Sequence, residues 1–255
     1  MVSDDVARRT ENGAANLAAL NRGASDFDFR SERLGNTHKL HVYLPPAYED
    51  ARETRFPSIY VHDGGEYLDR AKLGIVIDNL IAGSQIPPLI AVMIDPVDRM
   101  HEYWANDDYA EFLCTELVPA IDSQYRTNAD RRSRAVMGAS LGGLISVYTA
   151  LSYPKVFSRV AGQSSALQLA EAETTSKLSG TKRASFRFYF DVGKYEPGFI
   201  PAHQRFTALL KKRRWPCLYQ ELAGGHNWTS WRAHLKDLLV FLWSESSAKN
   251  QLRPA

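Results

Sequence analysis

Cysteine is scarce, with only Cys114 and Cys217 among 255 residues. Two thiols in a chain this long make no disulfide framework. Each lies beside large apolar residues (Phe112-Leu113-Cys114 and Pro216-Cys217-Leu218), the setting of a buried thiol rather than a reactive one. Long apolar runs are also missing. The longest, such as Ile86–Ile94, are strand-sized and fall short of the roughly 18 residues a membrane span needs. Residues 1–23 hold no basic leader followed by an apolar stretch, so no secretory signal is expected and a cytoplasmic location is. Excess charge of one sign is absent: 31 Lys and Arg face 29 Asp and Glu, a formal balance of +2, with both signs interspersed. No long-range field gathers phosphates, so nucleic acid is not an expected partner, and neither is a membrane. H-E-x-x-H, Cys/His-cluster and P-loop patterns are all missing, so neither a metal nor an organic cofactor is expected.

What is present is the composition of an ordinary globular chain, 44% apolar and 24% charged, enough to offset the entropy of folding. Strand-like runs occur at Leu40–Leu44, Ser58–His62, Leu89–Ile94, Arg134–Met137, Arg159–Gln163, Phe186–Phe190 and Leu218–Leu222. Several are continuous apolar or β-branched runs, as expected for strands covered on both faces. Between them lie helical patterns over Tyr109–Ile121, Leu144–Ser152, Ile200–Lys212 and Ser230–Trp243. This alternation predicts the α/β class, a mostly parallel central sheet with helices on both faces. No linker divides the chain. The expected organisation is an N-terminal arm over 1–25, either a short helix at Asn12–Leu20 or a loose, disordered arm, then one domain over 26–245 and a C-terminal tail over 246–255. Oligomeric state, monomer or homodimer, stays open.

The strongest local signal is Gly138-Ala-Ser140-Leu141-Gly142-Gly143, directly after the strand-like run Arg134–Met137 and before a helical pattern. It fits the G-x-S-x-G nucleophile elbow in the strand–turn–helix context that the motif requires. A serine there stands clear of the sheet on a tight turn, and neighbours two residues away must be tiny to avoid a clash. The helix N-terminus aims N–H groups at developing negative charge. An inert serine in a glycine-rich turn is the bland alternative.

An exposed serine needs a base. Of seven histidines, His226 follows Gly224-Gly225 after the last strand-like run and precedes the last helix, where such folds hold their base. His203 and His234 lie on helical patterns, His38 and His41 at the opening strand, and His62 ends a central strand where it could line the site. The base needs an acid to hold its tautomer. Asp191 and Glu196, at and beyond the end of Phe186–Phe190, both fit the order Ser…Asp/Glu…His, and spacing alone does not choose between them. For the oxyanion, the first donor is the N–H of Leu141. The second is Gly64 or Gly65, in the turn after Ser58–His62.

Together these pieces resemble the α/β-hydrolase esterase family that includes enterochelin (siderophore) esterases, esterase D and some feruloyl esterases. The resemblance runs from about Leu34 to Trp243. It is carried by Val42-Tyr-Leu-Pro-Pro-Ala-Tyr48, His62-Asp-Gly-Gly-Glu-Tyr67, Arg99-Met-His-Glu-Tyr103, Glu116-Leu-Val-Pro119, the elbow and Gly224-Gly-His-Asn-Trp228. It implies an acid after a Gly-x-x-Asp/Glu pattern, which Gly193-Lys-Tyr-Glu196 matches, favouring Glu196 over Asp191. It also implies that Arg99 lies at the substrate site. A fixed guanidinium there suits an anionic, phenolate or carbonyl-rich substrate, while an Arg99–Glu102 ion pair on a loop is the structural alternative. Two departures stand out. Siderophore esterases often carry an N-terminal β-domain, which is not expected in the arm that precedes the core here, and Ser164-Ser165-Ala166-Leu167 replaces a Gly–aromatic pattern.

The expected activity is hydrolysis of a small-molecule carboxylic ester, with small acyl or aromatic, siderophore-like groups. The expected route is an acyl-enzyme on Ser140, His226 and Glu196. Trp228 is expected at the rim of the substrate site and Trp231 in the core. Rival readings are an acyltransferase on the same fold and a catalytically silent siderophore-binding module.

Overall fold

The computed structural model describes residues 24–181 and 185–243. Apolar runs buried on both faces build the centre of one sheet: β3 (Ser58–His62), β4 (Ile90–Ile94) and β5 (Arg134–Ala139) are buried along their whole length. With β1 (Ala24–Arg30), β2 (Thr37–Tyr43), β6 (Arg159–Gln163), β7 (Arg187–Gly193) and β8 (Cys217–Leu222), the order is β1-β2-β4-β3-β5-β6-β7-β8. The six strands from β3 to β8 are parallel. β1 and β2 form an antiparallel pair, and β2 runs antiparallel to β4.

Period-two alternation splits the core into two layers. Tyr60, Val92 and Val136 point into one, while Ile59, Met93 and Met137 point into the other. The second layer is closed by residues of α1 (Gly64–Asp69), α2 (Leu73–Ala82) and the C-terminal helix Trp228–Trp243, among them Tyr67, Ile77 and Leu238. The first is closed by helical segments spanning Asp107 to Gln124 and by the helix Leu141–Ser152 that follows β5. The helices after β3 and after β5 therefore leave adjacent strands toward opposite faces. In open α/β sheets such a switch point leaves a crevice at the carboxyl ends of the strands. Gly64 and Ser140 emerge on its two sides.

The α/β class and mostly parallel sheet match the sequence expectation, and every expected strand is present. The differences are local. β1 lacks a continuous apolar run, and its sequence ASDFDFR alternates at an exposed edge. The strand expected to end at Phe190 runs on to Gly193, so Asp191 lies inside it, opposite Gln163 and Gln220. The helical pattern Tyr109–Ile121 is widened by a π-helical turn at Phe112–Leu117, just before Pro119, which has no N–H to continue an α ladder. The arm expected at 1–25, apart from Ala24 and Ser25 in β1, and the tail at 246–255 lie outside the described residues. Among the described residues, no helix is long and apolar enough to cross a membrane.

Candidate active site

The G-x-S-x-G segment closes as the sequence physics demands. Ser140 sits between β5 and the helix Leu141–Ser152 with φ 57° and ψ −120°, a region non-glycine residues rarely occupy. Its N–H donates to the Gln163 carbonyl at 2.9 Å, and its carbonyl accepts from Leu144 at 3.1 Å and Ala166 at 2.9 Å. Three backbone contacts over-determine the strained turn. A Cβ on Gly138 would collide with the Gly142 carbonyl, which is why position 138 takes no side chain. Leu141 is the first helical residue, so its N–H is among those without an intrahelical acceptor.

His226 Nδ1 lies 2.6 Å from Glu196 Oε1. The carboxylate only accepts, so Nδ1 carries the hydrogen and Nε2 presents its lone pair in the neutral ring. Glu196 is 5% exposed, and its burial is compensated by further donors. Oε2 accepts from the Gly193 N–H at 2.7 Å and from Ser164 Oγ at 2.8 Å. Ser164 Oγ in turn accepts from Trp231 Nε1 at 3.1 Å, and the Trp231 ring stands edge-on to His226 with centroids 5.0 Å apart. Gly193 is required by proximity: a Cβ there would strike the Gly224 carbonyl of the His226 loop and approach Glu196 Oε2 to 2.5 Å. The Gly-x-x-Glu spacing thus packs the acid loop against the base loop.

Asp191 has a different environment. Its Oδ2 accepts from Gln163 Nε2 at 3.0 Å, and the same amide group donates to the Trp231 carbonyl at 2.9 Å. Burial pushes the Asp191 carboxyl up to about 7. The histidine-facing carboxylate is therefore Glu196, and Asp191 belongs to the sheet beneath it.

His62 is fully buried rather than lining the site. Its Nδ1 lies 2.9 Å from Ser146 Oγ, and burial pulls its pKa down to about 3. Both cysteines are free, and burial raises both thiols, Cys217 to about 12, so neither is a thiolate near neutrality.

On the other side of the elbow, Asp63 adopts a left-handed conformation (φ 57°) before Gly64. The Gly65 N–H donates to Asp95 Oδ1 at 2.6 Å, which leaves Gly64 as the glycine of the pair not committed there. Arg99 does not pair with Glu102. Its Nε and Nη2 clasp Asp63 Oδ1 and Oδ2 at 2.6 and 2.8 Å, and Nη2 also lies 3.4 Å from the Ala139 carbonyl. The guanidinium therefore lies beside the elbow, with its side chain 36% exposed. Glu102 is buried and accepts from Asn36 Nδ2 at 3.0 Å and the Val97 N–H at 3.1 Å. Trp228 is partly buried, edge-on to Tyr67 and to the buried Trp231, with centroids 4.9 Å apart in each pair. Sequence reasoning did not single out Ser164 as a partner of the acid, or Asp63 as the partner of Arg99. The only signal for Ser164 was that Ser164-Ser165 departs from the Gly–aromatic pattern.

Residues 31–242 match the model of the Esterase family, described as "Putative esterase". The iron(III) enterobactin esterase of Escherichia coli is 27% identical over 235 residues, covering 86% of this chain and 57% of that protein. The enterobactin esterase structure from Shigella flexneri, determined in the presence of enterobactin, superposes with a TM-score of 0.78 at 25% identity. It covers 86% of this chain and 58% of that one. The chain thus spans little more than half the length of these two relatives. An IroE-like serine hydrolase from Shewanella oneidensis shares the fold, with a TM-score of 0.74 at 20% identity over 86% of this chain and 80% of that one. The chain belongs to the esterase family, whose members are carboxylic ester hydrolases with the α/β-hydrolase fold.

Proposed function

We propose that the protein is a serine esterase working through an acyl-enzyme. Ser140 Oγ attacks the ester carbonyl while His226 Nε2 takes its proton. Glu196 holds His226 in the required tautomer and stabilises the imidazolium that forms. The Leu141 and Gly64 N–H groups receive the oxyanion, each contributing about 3 kcal/mol to lowering the barrier. Collapse of the tetrahedral species expels the alcohol, which takes the proton from His226. Water then repeats the sequence on the acyl-enzyme and releases the acid. The observation that carries this reading is the 2.6 Å contact between His226 and buried Glu196, tied by Ser164 to the strand end on which the Ser140 turn rests.

Arg99 and Trp228 line the substrate side in this reading. Two of the Arg99 donors already hold Asp63, so the guanidinium is a fixed cation, suited to an ester that carries an anionic or phenolic group. The relatives named for enterobactin support an aromatic, siderophore-like ester as substrate, and small acyl esters as model substrates. The two free thiols fit action in a reducing compartment, the cytoplasm.

The test is hydrolysis of p-nitrophenyl acetate and butyrate, a feruloyl ester and a catecholate trilactone by the wild-type protein and by Ser140→Ala. Wild-type protein is expected to react with a fluorophosphonate probe and hydrolyse part of the panel, and Ser140→Ala to do neither. Activity near the wild-type level in Ser140→Ala would remove the serine mechanism. A trilactone left intact while short esters turn over would remove the siderophore substrate.

A further inference from the structure

Across the elbow from His226, the glycine turn after β3 is held by a second chain of carboxylates and histidine. Asp95 directly follows β4. Its Oδ1 accepts the Gly65 N–H at 2.6 Å, and its Oδ2 faces His41 Nε2 at 3.1 Å. The other ring nitrogen, His41 Nδ1, faces Asp26 Oδ1 at 2.7 Å. The Asp95 backbone is gripped as well: its N–H donates to the Lys39 carbonyl at 3.0 Å, and its carbonyl accepts from His38 Nδ1 at 3.0 Å. The antiparallel pair β1–β2 thereby reaches the glycine turn through one carboxylate.

An ionised carboxylate accepts and does not donate. With one on each ring nitrogen, both nitrogens of His41 donate, and the ring is an imidazolium. Its charged neighbours are Asp26 on β1 and Asp95 after β4, from the two flanking strands, and Lys39 on its own strand β2, whose Nζ lies 3.7 Å from Asp26 Oδ2. The hydrogen bond to Asp95, with the pair to Asp26, raises the His41 pKa against the opposing effect of burial. Burial pushes the Asp95 carboxyl upward, but His41 and the Gly65 N–H together hold it below the usual carboxylate range.

We propose that the Asp26–His41–Asp95 chain is a positioning device for the oxyanion donor. Asp95 locks the Gly64-Gly65 turn so that the Gly64 N–H faces the substrate oxygen, and the His41 cation locks Asp95. The role rests on the reading of Gly64 as an oxyanion donor. Neither Asp95 nor His41 touches substrate. Because the oxyanion exists only in the transition state, loosening the turn lowers kcat and leaves ground-state binding in place.

The test is p-nitrophenyl butyrate hydrolysis by the full chain across a pH range, with melting temperatures for each variant. Asp95→Ala is expected to lower kcat on the order of 10- to 100-fold, with KM within about threefold of wild type. Asp95→Asn keeps an acceptor for Gly65 and is expected to recover most of that loss. His41 keeps its charge below its raised pKa and loses it as pH rises through that value. Wild-type kcat is therefore expected to decline on the alkaline side, and His41→Gln to lower kcat and abolish that decline. A kcat for Asp95→Ala within about twofold of wild type, in protein that melts normally, overturns the role, as does a loss carried by KM alone. Should Asp95→Ala not fold, His41→Gln decides: unchanged kcat with an unchanged alkaline limb overturns the role. Ser140→Ala separates the two failures. Activity surviving in Ser140→Ala removes the esterase mechanism itself. An inactive Ser140→Ala beside unimpaired Asp95 and His41 variants removes only the positioning role.

Discussion

The two flanks of the Ser140 turn each join a histidine to a carboxylate, and they are built in opposite ways. On the β7–β8 flank, Glu196 engages only Nδ1 of His226, and the His226 side chain is 37% exposed. On the β2–β4 flank, His41 is buried with a carboxylate at each nitrogen. A ring with one carboxylate partner can gain and lose its second proton without breaking a contact. A ring between two carboxylates loses one of its hydrogen bonds when it deprotonates. The first arrangement suits a proton shuttle, the second a fixed strut, and partner count rather than residue type separates them. The same contrast holds between the two acidic residues near the end of β7. Glu196 collects three donors at full burial, whereas Asp191 is buried against fewer partners and is driven toward its neutral form.

The largest expected effect tests the contrast directly. His226→Ala should lower kcat by about 10⁴-fold or more, far beyond any loss in His41→Gln, because in the proposed mechanism only His226 transfers a proton. Equal losses in steady-state assays would erase the distinction. Next comes the acid pair: Glu196→Gln should cost on the order of 10²- to 10⁴-fold in kcat and Asp191→Asn less than about tenfold. The reverse ranking would transfer the acid role to Asp191. A smaller effect is expected from Ser164→Ala, which removes one donor from Glu196. A hydrogen bond to a charged group is worth about 1.5–3 kcal/mol, so kcat should fall by about 10- to 100-fold at most, with KM little changed. No change in kcat would mean that Gly193 and His226 alone hold the carboxylate.

The smallest effect is on stability. The Asp191 carboxyl is raised to about 7 in the folded protein, above the ~3.9 of an unfolded chain. Its protonated form favours folding, and that contribution is complete below the unfolded value and lost as pH rises toward 7. Asp191→Asn should therefore melt higher than wild type at pH 8, with the gain shrinking toward pH 4. A gain that does not vary with pH would mean that Asp191 is ionised in the fold.

Much of the fold was legible because buried parallel strands read as unbroken runs of apolar or small residues, as in Ile90–Ile94 and in the part of Arg134–Ala139 that follows the arginine. β1 was missed because an edge strand needs no such run, and its Ser and Asp residues obscure the alternation of Phe27 and Phe29. The elbow was legible because its constraint is local: a side chain at Gly138 collides with a residue four positions away. The resemblance pointed to Glu196, and the contact with His226 accords with it. Gly193 explains why the spacing matters, since the acid loop and the base loop meet at that Cα. The partner of Arg99 was not legible. Glu102, near in sequence, was the partner in the structural alternative, but Asp63, 36 positions away, takes both guanidinium contacts.

By itself, the sequence determined what short-range sterics and periodicity can encode. These are the class of sheet, the strained serine turn and the presence of a histidine and an acid in the right order. The tertiary structure decided everything that depends on which distant side chains share a buried space. It set His226 against a single carboxylate and His41 between two, gave Glu196 its donors and left Asp191 short of them, and turned Gly65 toward Asp95. The physical reason is that a titratable group takes its state from partners and burial. Both are set by strands and loops that meet only when the sheet assembles.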